Sequence, residues 1–345
     1  MTTTNRIESN VIRVAYRVVT PMFLGGAAQQ PELRMASFKG VLRFWWRALA
    51  WGEILERAGG NERTALQRLR IEEAQLFGSR EKGQSAVLIR LNWTDALPAS
   101  QTEVIDWPPN RPPVGSTYLG YGITQSGRPG TPDYKPHRHG LPNGTVFEVS
   151  CVVSPMMPEP RRVQVRHDIE RALWGIGLFA GLGSRSRRGF GSIALDKWGG
   201  KDCTVQSVDE LEQSMRIIVP DASRKAELPP FTAFSRFSRV AFLGPGSDVR
   251  NLHHELGQRY VDYRGQKGQL RGKRKMPFGL PLKGVDENTR RASPILMHLH
   301  PVGEQFVAAV LYMPSFFHRD VPEGGRPDFF NVVLDWMEQL HGVPI

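Results

Sequence analysis

One stretch of the chain crowds four glycines and three arginines into eleven residues, and it reads Gly181-Leu182-Gly183-Ser184-Arg185-Ser186-Arg187-Arg188-Gly189-Phe190-Gly191. Glycines allow positive φ angles and close backbone approach, and arginines carry planar cations that match phosphate oxygens. The stretch therefore predicts a loop that holds a polyanion. The alternative is a solvated basic surface loop. Apolar segments close to both ends of the stretch favour the first interpretation.

The segments before and after this stretch predict the fold. Residues 11–19 alternate as a strand does, and a helix with an apolar face begins after Ser37, its predicted N-cap. Further elements follow at about 62–76 (helix), 86–91 (strand), 146–153 (strand), 168–180 (helix) and 192–195 (strand). The order strand, helix, strand, strand, helix, strand is the ferredoxin-like plan. The glycine–arginine stretch joins its second helix to its last strand.

The second half of the chain partly repeats this order. Strand patterns at 239–243, 295–300 and 306–312 accompany helix patterns at 251–260 and 328–340, and a closing strand is not evident. The predicted fold class is α+β, with two ferredoxin-like (RRM-like) βαββαβ domains, the second degenerate, and long loop insertions. The predicted division is a first domain at 1–200 with an insertion at about 92–144, an irregular linker at 201–230 and a second domain at 231–345.

Composition indicates the class of partner. The 345 residues include 45 Lys+Arg and 34 Asp+Glu, a net charge of +11, which favours nucleic acid over an anionic membrane surface. The two cysteines, Cys151 and Cys203, form no CxxC pair, which excludes a zinc knuckle and argues against a disulfide framework. Without an apolar leader or a bilayer-length apolar run, we expect a cytoplasmic protein with no membrane partner.

The helix after Ser37 carries a second basic feature. The amides of a first helical turn favour an anion, and Lys39, Arg43 and Arg47 recur every four residues as a positive stripe. A solvated basic face is the alternative. Trp46 flanks the stripe, where it is a candidate for stacking on a base, although core packing is favoured for it. The candidate RNA-binding residues of this segment are Arg34, Ser37, Lys39, Gly40, Arg43, Trp46 and Arg47.

Residues 264–275 carry six positive charges and no negative one. Their glycine spacing predicts a mobile loop that orders on a polyanion, and a solvated arm is an equal alternative. The candidate RNA-binding residues here are Arg264, Lys267, Arg271, Lys273, Arg274 and Lys275, to which Arg290 and Arg291 add. From the first stretch the candidates are Gly183, Ser184, Arg185, Ser186, Arg187, Arg188 and Gly189.

A search of the sequence for catalytic and metal-binding motifs gives little support for an enzyme. The chain has no HExxH, GxSxG or GxxxxGK[ST] motif, and its paired histidines make incomplete metal sites, so we predict no catalytic residue, no metal and no cofactor. A metal-independent endoribonuclease that uses His137 or His139 as a general base stays open as an alternative. An adaptor that docks its basic face on acidic proteins is a third class.

Several stretches together resemble a known family. They are residues 20–26, 32–47 and 76–79 together with the glycine–arginine stretch, and they are similar to the RAMP superfamily of CRISPR proteins over about residues 10–197. The run from Lys39 to Arg47 resembles the first RAMP subunit of the type III-B (Cmr) effector complex. Residues 278–282 and 290–294 are also similar to that subunit.

The resemblance implies a function. Members have two ferredoxin-like domains, and this subunit binds CRISPR RNA toward its 3′ end without cutting it. We therefore expect a non-catalytic subunit that contacts CRISPR RNA, target RNA or both through phosphates, with other RAMP subunits as partners and no small-molecule substrate. On this view, replacing Lys39, or the three arginines at 185, 187 and 188 together, weakens RNA binding without unfolding the protein.

Overall fold

Two antiparallel sheets organise the chain, one in each half. The structure, a computed structural model, describes residues 10–25, 31–93, 103–104, 115–123, 132, 138–264, 270–316 and 326–345. None of the helices in these ranges is long and apolar enough to cross a membrane.

The first sheet has the strand order β2-β5-β1-β6-β7, and all neighbouring strands are antiparallel. The path β1-α1-β2-β5-α4-β6 is the ferredoxin-like order that the sequence predicts, with α2 as an added helix. β3 and β4 pair with each other apart from this sheet. The elements are β1 (Val11–Val18), α1 (Met35–Arg57), α2 (Glu62–Phe77), β2 (Val87–Trp93), β3 (Glu103–Val104), α3 (Gly115–Leu119), β4 (His139–Gly140), β5 (Val146–Val153), α4 (Glu159–Phe179), β6 (Ile193–Trp198) and β7 (Lys201–Asp202).

The second sheet has the strand order β11-β12-β8-β13. The path β8-α7-β11-β12-α8-β13 repeats the ferredoxin-like order, so the α+β class with two such units is confirmed. β9 and β10 form a separate pair. The elements are α5 (Val208–Ile218), α6 (Asp221–Lys225), β8 (Arg239–Gly246), α7 (Val249–Arg264), a 3₁₀ helix (Gly272–Phe278), β9 (Leu280–Leu282), β10 (Asp286–Arg291), β11 (Ile295–Val302), β12 (Gln305–Tyr312), α8 (Arg326–Gln339) and β13 (Val343–Pro344).

Four expectations from the sequence are corrected. The second unit does have a closing strand, β13, in which Val343 and Pro344 lie opposite Val240 and Arg239 of β8. Two residues are too short to show strand periodicity, and a proline is tolerated there because β13 is an edge strand. α4 begins at Glu159 instead of residue 168. The sequence did not predict its first turns because they are mostly polar and exposed, so they lack apolar periodicity.

The other corrections concern the segment at 201–230 and the start of α1. Residues 201–230 are not irregular, because they contain β7, α5 and α6. Ser207 caps α5 by accepting from the amide of Glu210 at 3.1 Å, and Leu211 is fully buried in the core of the first half. Arg34, and not Ser37, is the N-cap of α1. The domain limits drawn from the sequence stay a prediction.

Apolar packing joins the two halves. The apolar stripe of α1, which includes Phe38 and Trp45, is buried in the core of the first sheet, as the spacing predicts. The same core includes Val302 and Val307 of the second sheet. In return, Phe190 belongs to the core beneath the second sheet. The glycine–arginine stretch therefore runs through the junction of the two sheets.

Candidate nucleic-acid interface

The glycine–arginine loop (residues 181–191) is held by hydrogen bonds from the second sheet and from α7. The amide of Met297 in β11 donates to the carbonyl of Arg187 at 3.1 Å. Nε2 of His253 in α7 lies 2.8 Å from the carbonyl of Arg188 and donates to it. The loop is therefore part of the junction between the two halves and not an extension into solvent.

The loop glycines are required by the backbone. Gly183 has φ +88°, and a Cβ on it would lie 2.5 Å from the carbonyl oxygen of Phe23. Gly189 is buried, and its carbonyl accepts from Oγ1 of Thr20 at 2.6 Å. The sequence predicts that glycines let a ligand approach, whereas the structure shows that they let the protein's own backbone and side chains approach. Gly189 is not accessible to RNA.

Arg185 is the exposed arginine of the loop. It has φ 60°, and its Nε donates to the carbonyl of Tyr121 at 2.7 Å. Ser184 beside it accepts a long hydrogen bond of 3.4 Å from Nη1 of the exposed Arg138, while Ser186 is half-buried. Burial, followed by the charge of Arg188, lowers the pKa of Arg185. This end of the loop therefore presents two arginines and a hydroxyl to solvent.

Arg187 is largely buried in the junction. Its Nη1 donates to the carbonyl of Ser293 at 2.6 Å, and its guanidinium lies 5.3 Å from the ring centroid of Phe44 in α1. Burial, followed by the charges of Arg291 and Arg188, lowers the pKa of Arg187 to about 10. It therefore stays protonated at neutral pH. Its contacts bring the loop and α1 together, as the sequence predicts, but they also make this arginine part of the fold.

Arg188 lies over an aromatic ring from the second half. Its guanidinium is 4.7 Å from the ring centroid of Tyr260 in α7, and its Nη1 is buried without a hydrogen-bond partner. Arg264, the last residue of α7, lies 5.8 Å from the same ring and donates through Nη1 to the hydroxyl of Tyr118. These contacts place positive charge inside the junction with no carboxylate paired to it among the described residues.

Polar groups of α2 contact all three cations of the basic stripe of α1. Nε of Arg43 and Nη1 of Arg47 lie 2.7 and 2.5 Å from the same oxygen of Glu73. Nζ of Lys39 donates to the carbonyl of Phe77, the last residue of α2, at 2.8 Å. The sequence predicts an open stripe, but these contacts pair two of its cations with one carboxylate and tie the third to a helix end.

The remaining candidates of α1 lie near its start. The amide of Ser37 donates to the carbonyl of Arg34 at 3.0 Å, so it does not point at an anion. Arg34 and Gly40 are exposed, and the space beside Gly40 is open. Trp46 is 2% exposed and packs edge-on against Phe77, which excludes base stacking and confirms core packing.

The basic residues of the second half fall into two groups. The 3₁₀ helix Gly272–Phe278 includes residues 272–275 of the segment 264–275 that is predicted as a mobile loop, and this prediction is wrong for those residues. Arg290 is exposed, and Arg291 donates to the carbonyl of Phe316 at 2.8 Å. Lys267 lies outside the described residues. On the 3₁₀ helix and at its start, the exposed cations are Arg271, Lys273 and Arg274, and Lys275 is half-buried.

Three buried histidines hold the junction. Nε2 of His298 donates to the carbonyls of Ala180 and Ile193 at 2.9 and 3.1 Å, and its Nδ1 lies 2.9 Å from Nε2 of His300. Burial lowers the pKa of His298 and of His253 to about 4, and it holds the pKa of His300 well below its usual range. These rings are structural donors. Of the two candidate general bases, His139 is exposed, and His137 lies outside the described residues.

Sequence reasoning missed the residues that decide which cations are available. Glu73 pairs with both arginines of the α1 stripe, the ring of Phe44 lies against Arg187, and the ring of Tyr260 lies against both Arg188 and Arg264. The sequence contains one signal for the contact between Tyr260 and Arg264, because four residues separate neighbours on a helix face, although the helix predicted from the sequence ends at residue 260. No local signal connects residue 73 with residue 43. Within the described part of the chain, no cluster of three metal-ligating side chains occurs.

Comparisons with known proteins agree with this architecture. A model of the RAMP superfamily matches residues 15–194. The Pyrococcus furiosus protein named CRISPR system Cmr subunit Cmr1-1 is 26% identical over 330 residues, which cover 89% of this chain and 88% of the relative.

Solved structures match the whole fold. The crystal structure of Cmr1 from Pyrococcus furiosus in its apo form superposes with a TM-score of 0.60 at 22% identity, over 96% of this chain and 98% of that one. A chain of type III-B Cmr-beta bound to cognate target RNA superposes with a TM-score of 0.56 at 11% identity, over 94% and 99%. The two ferredoxin-like units and the resemblance drawn from the sequence are thereby confirmed.

Proposed function

This chain belongs to the RAMP superfamily, and we propose that it is a non-catalytic RNA-binding subunit of a type III-B CRISPR (Cmr) effector complex. Its RNA is the CRISPR RNA toward the 3′ end, the target RNA, or both. Its protein partners are the other RAMP subunits of the complex. Support comes from the relative named a Cmr subunit over most of the chain and from the likeness to a chain of a complex bound to target RNA. The cytoplasmic location stays a prediction.

The observation that carries the RNA-binding role is a set of cations with no carboxylate partner among the described residues. Guanidinium groups form two parallel hydrogen bonds to phosphate oxygens, and they stay charged at neutral pH. Cations without a carboxylate partner are the ones that a phosphate backbone recruits. Those proposed to do so here are Arg34, Arg138, Arg185, Arg188, Arg264, Arg271, Lys273 and Arg274.

The mechanism of binding is phosphate neutralisation with little base readout. Trp46, the aromatic candidate for stacking on a base, is buried. Each phosphate contact releases counterions, so each contact is expected to add roughly 0.7 to 1 to the steepness of the salt slope, the change in log affinity per tenfold change in salt. RNA sequences of equal length are expected to bind alike, since phosphate contacts carry no base information.

A salt titration tests this function. Binding of labelled single-stranded RNA is followed by fluorescence anisotropy between about 50 and 300 mM KCl. The plot of log affinity against log salt is expected to have a slope of about −3 or steeper, as four or more contacts require. Two unrelated RNA sequences are expected to give the same slope and similar Kd values. A slope near zero would falsify the proposal.

The proposal also states that the chain does not cut RNA. It is supported by the three histidines of the junction, which are all buried. His253 and His298 donate to carbonyls, and His300 donates to Nδ1 of His298, so none of them is placed to take a proton from a ribose hydroxyl. The test is incubation of labelled CRISPR RNA with the protein in chelator. We expect intact RNA with the wild type, with H139A and with H137A. Specific cleavage by the wild type that H139A or H137A abolishes establishes the endoribonuclease alternative instead.

A further inference from the structure

The ring of Tyr260 is contacted by arginines that come from opposite halves of the molecule. The guanidinium of Arg188, from the glycine–arginine loop, lies 4.7 Å from the ring centroid. The guanidinium of Arg264, from the last turn of α7, lies 5.8 Å from it. The ring itself is 1% exposed. Two cations on one buried ring repel each other, so the arrangement requires a compensating interaction.

Three polar atoms of this cluster have no hydrogen-bond partner. They are Nη1 of Arg188, Nε of Arg264 and the hydroxyl of Tyr260, all of them buried. A buried donor without an acceptor costs about 1–3 kcal/mol, and more when the group is charged. Native proteins rarely leave three such atoms around one side chain. The donors therefore indicate an acceptor that the chain itself does not supply.

The surrounding charge specifies the sign of that acceptor. Lys275 is close enough to Arg264 and Arg271 that their charges, after burial, lower its pKa. Burial, followed by the charge of Arg188, likewise lowers the pKa of Arg185. None of these five residues forms an ion pair with a carboxylate in the described part of the chain. Positive charge that is half-buried and unpaired is costly, so the missing acceptor is an anion.

We propose that Arg188, Arg264 and Tyr260 form a phosphate-binding subsite in the junction between the two sheets, which takes one phosphate group of the bound RNA. This inference rests on the proposed RNA-binding function and adds a specific point of attachment to it. Exposed Arg185 and Arg271 flank the subsite and attract the neighbouring phosphates. Because Arg188 and Arg264 belong to different halves, a phosphate bound between them also fastens the two halves together.

The first test uses inorganic phosphate as the probe and the full-length chain. Phosphate is titrated against chloride at constant ionic strength while the Tm is followed, since a ligand that binds only the folded state raises the Tm in a saturable way. We expect a rise for the wild type and none for R264Q. The matched control is R259Q, which removes the same charge from the same helix at an exposed arginine paired with Glu255. R259Q is expected to respond as the wild type does.

The second test measures RNA affinity with the same variants. R264Q is expected to weaken binding of single-stranded RNA about tenfold relative to R259Q, and to lower the salt slope by about one unit. RNA that ends in a 3′-phosphate and RNA that ends in a 3′-hydroxyl are compared. Tighter binding of the phosphorylated end that R264Q abolishes assigns the subsite to a terminal phosphate. Equal binding of the two assigns it to an internal phosphodiester.

Other outcomes separate the subsite from the function. Equal phosphate response and equal RNA affinity for R264Q and R259Q overturn the subsite, while RNA binding by both leaves the proposed function standing. Failure of the wild type to bind RNA overturns the function and, with it, the assignment of the phosphate to RNA. If R264Q does not fold, Y260F replaces it, because this change keeps the ring and removes only the unpartnered hydroxyl. A wild-type phosphate response in Y260F then overturns the subsite.

Discussion

The basic stripe of α1 and the glycine–arginine loop have similar charge in the sequence and opposite surroundings in the structure. Arg43 and Arg47 share Glu73, so both arginines of the stripe are paired inside the protein. Arg187 and Arg188 contact a carbonyl and aromatic rings, and no described carboxylate pairs with them. The availability of a cation for RNA therefore depends on distant residues that compensate it, and a count of local charge does not show it.

The largest expected difference between the two regions is the effect of low pH on their contribution to stability. The loop side is held by His253 and His298, whose folded-state pKa of about 4 lies below the ordinary value of 6.5. The unfolded chain therefore binds more protons below pH 6.5. Stability is complete above that pH and is lost as the pH falls toward 4. At pH 5 each histidine is expected to cost about 2 kcal/mol of unfolding free energy, while the α1–α2 ion pairs contain no histidine.

Urea unfolding at pH 7 and pH 5 measures this loss. H298Q is expected to reduce the difference between the two pH values by about a third, because glutamine still donates to a carbonyl and does not titrate, while His253 and His300 remain. H167Q, at an exposed position on α4, serves as the control and is expected to match the wild type. An unfolding free energy that is the same at both pH values contradicts the role given to the buried rings.

Removal of Arg187 is the next largest expected effect. R187A leaves the buried carbonyl of Ser293 without its donor and Phe44 without its cation. We expect a loss of about 3 kcal/mol in unfolding free energy, mostly from the charged hydrogen bond. The sequence alone predicts that arginines 185, 187 and 188 can be replaced together without unfolding, and the structure limits that expectation to Arg185.

The matched control for this prediction is R185A. Arg185 is exposed and donates only one described hydrogen bond, to the carbonyl of Tyr121. We expect its replacement to change the unfolding free energy by less than about 1 kcal/mol and to lower the salt slope of RNA binding by about one unit. Urea titration and anisotropy on the two variants separate the structural arginine from the binding one. Equal stability of R187A and R185A is incompatible with the different surroundings given to the two arginines.

The fold was predictable from the sequence because both ferredoxin-like units have elements with strong periodicity. The exception is β13, two residues long, whose pairing with β8 depends on the tertiary structure. The candidate surface was predictable only as a set of basic segments. Lys39 is held by the carbonyl of Phe77, which is 38 positions away along the chain. Arg188 is held over the ring of Tyr260, which is 72 positions away. Such contacts follow from packing and leave no local pattern.

A smaller effect tests whether the α1 stripe lies on the RNA path. E73Q keeps the shape of the side chain and removes the charge that Arg43 and Arg47 share. If RNA passes this face, its affinity is expected to rise about threefold, because both arginines become available. The control is E72Q, which removes the neighbouring charge that pairs with exposed Arg57. Anisotropy that gives the same Kd for the two variants places the RNA away from α1.

The smallest expected effect compares two cations at the start of α1. Arg34 is exposed, and no described residue forms an ion pair with it, whereas Nζ of Lys39 donates to the carbonyl of Phe77 at 2.8 Å. R34Q is expected to weaken RNA binding about twofold to threefold without changing the Tm. K39Q is expected to lower stability by about 1 kcal/mol, since it removes a cation from the C-terminal end of α2, and to weaken RNA binding less than R34Q. Anisotropy and thermal melting on both variants check the order. Weaker RNA binding by K39Q than by R34Q shows that the ammonium group of Lys39 contacts phosphate despite its bond to α2. The α1 stripe is then part of the RNA-binding surface, as the loop is.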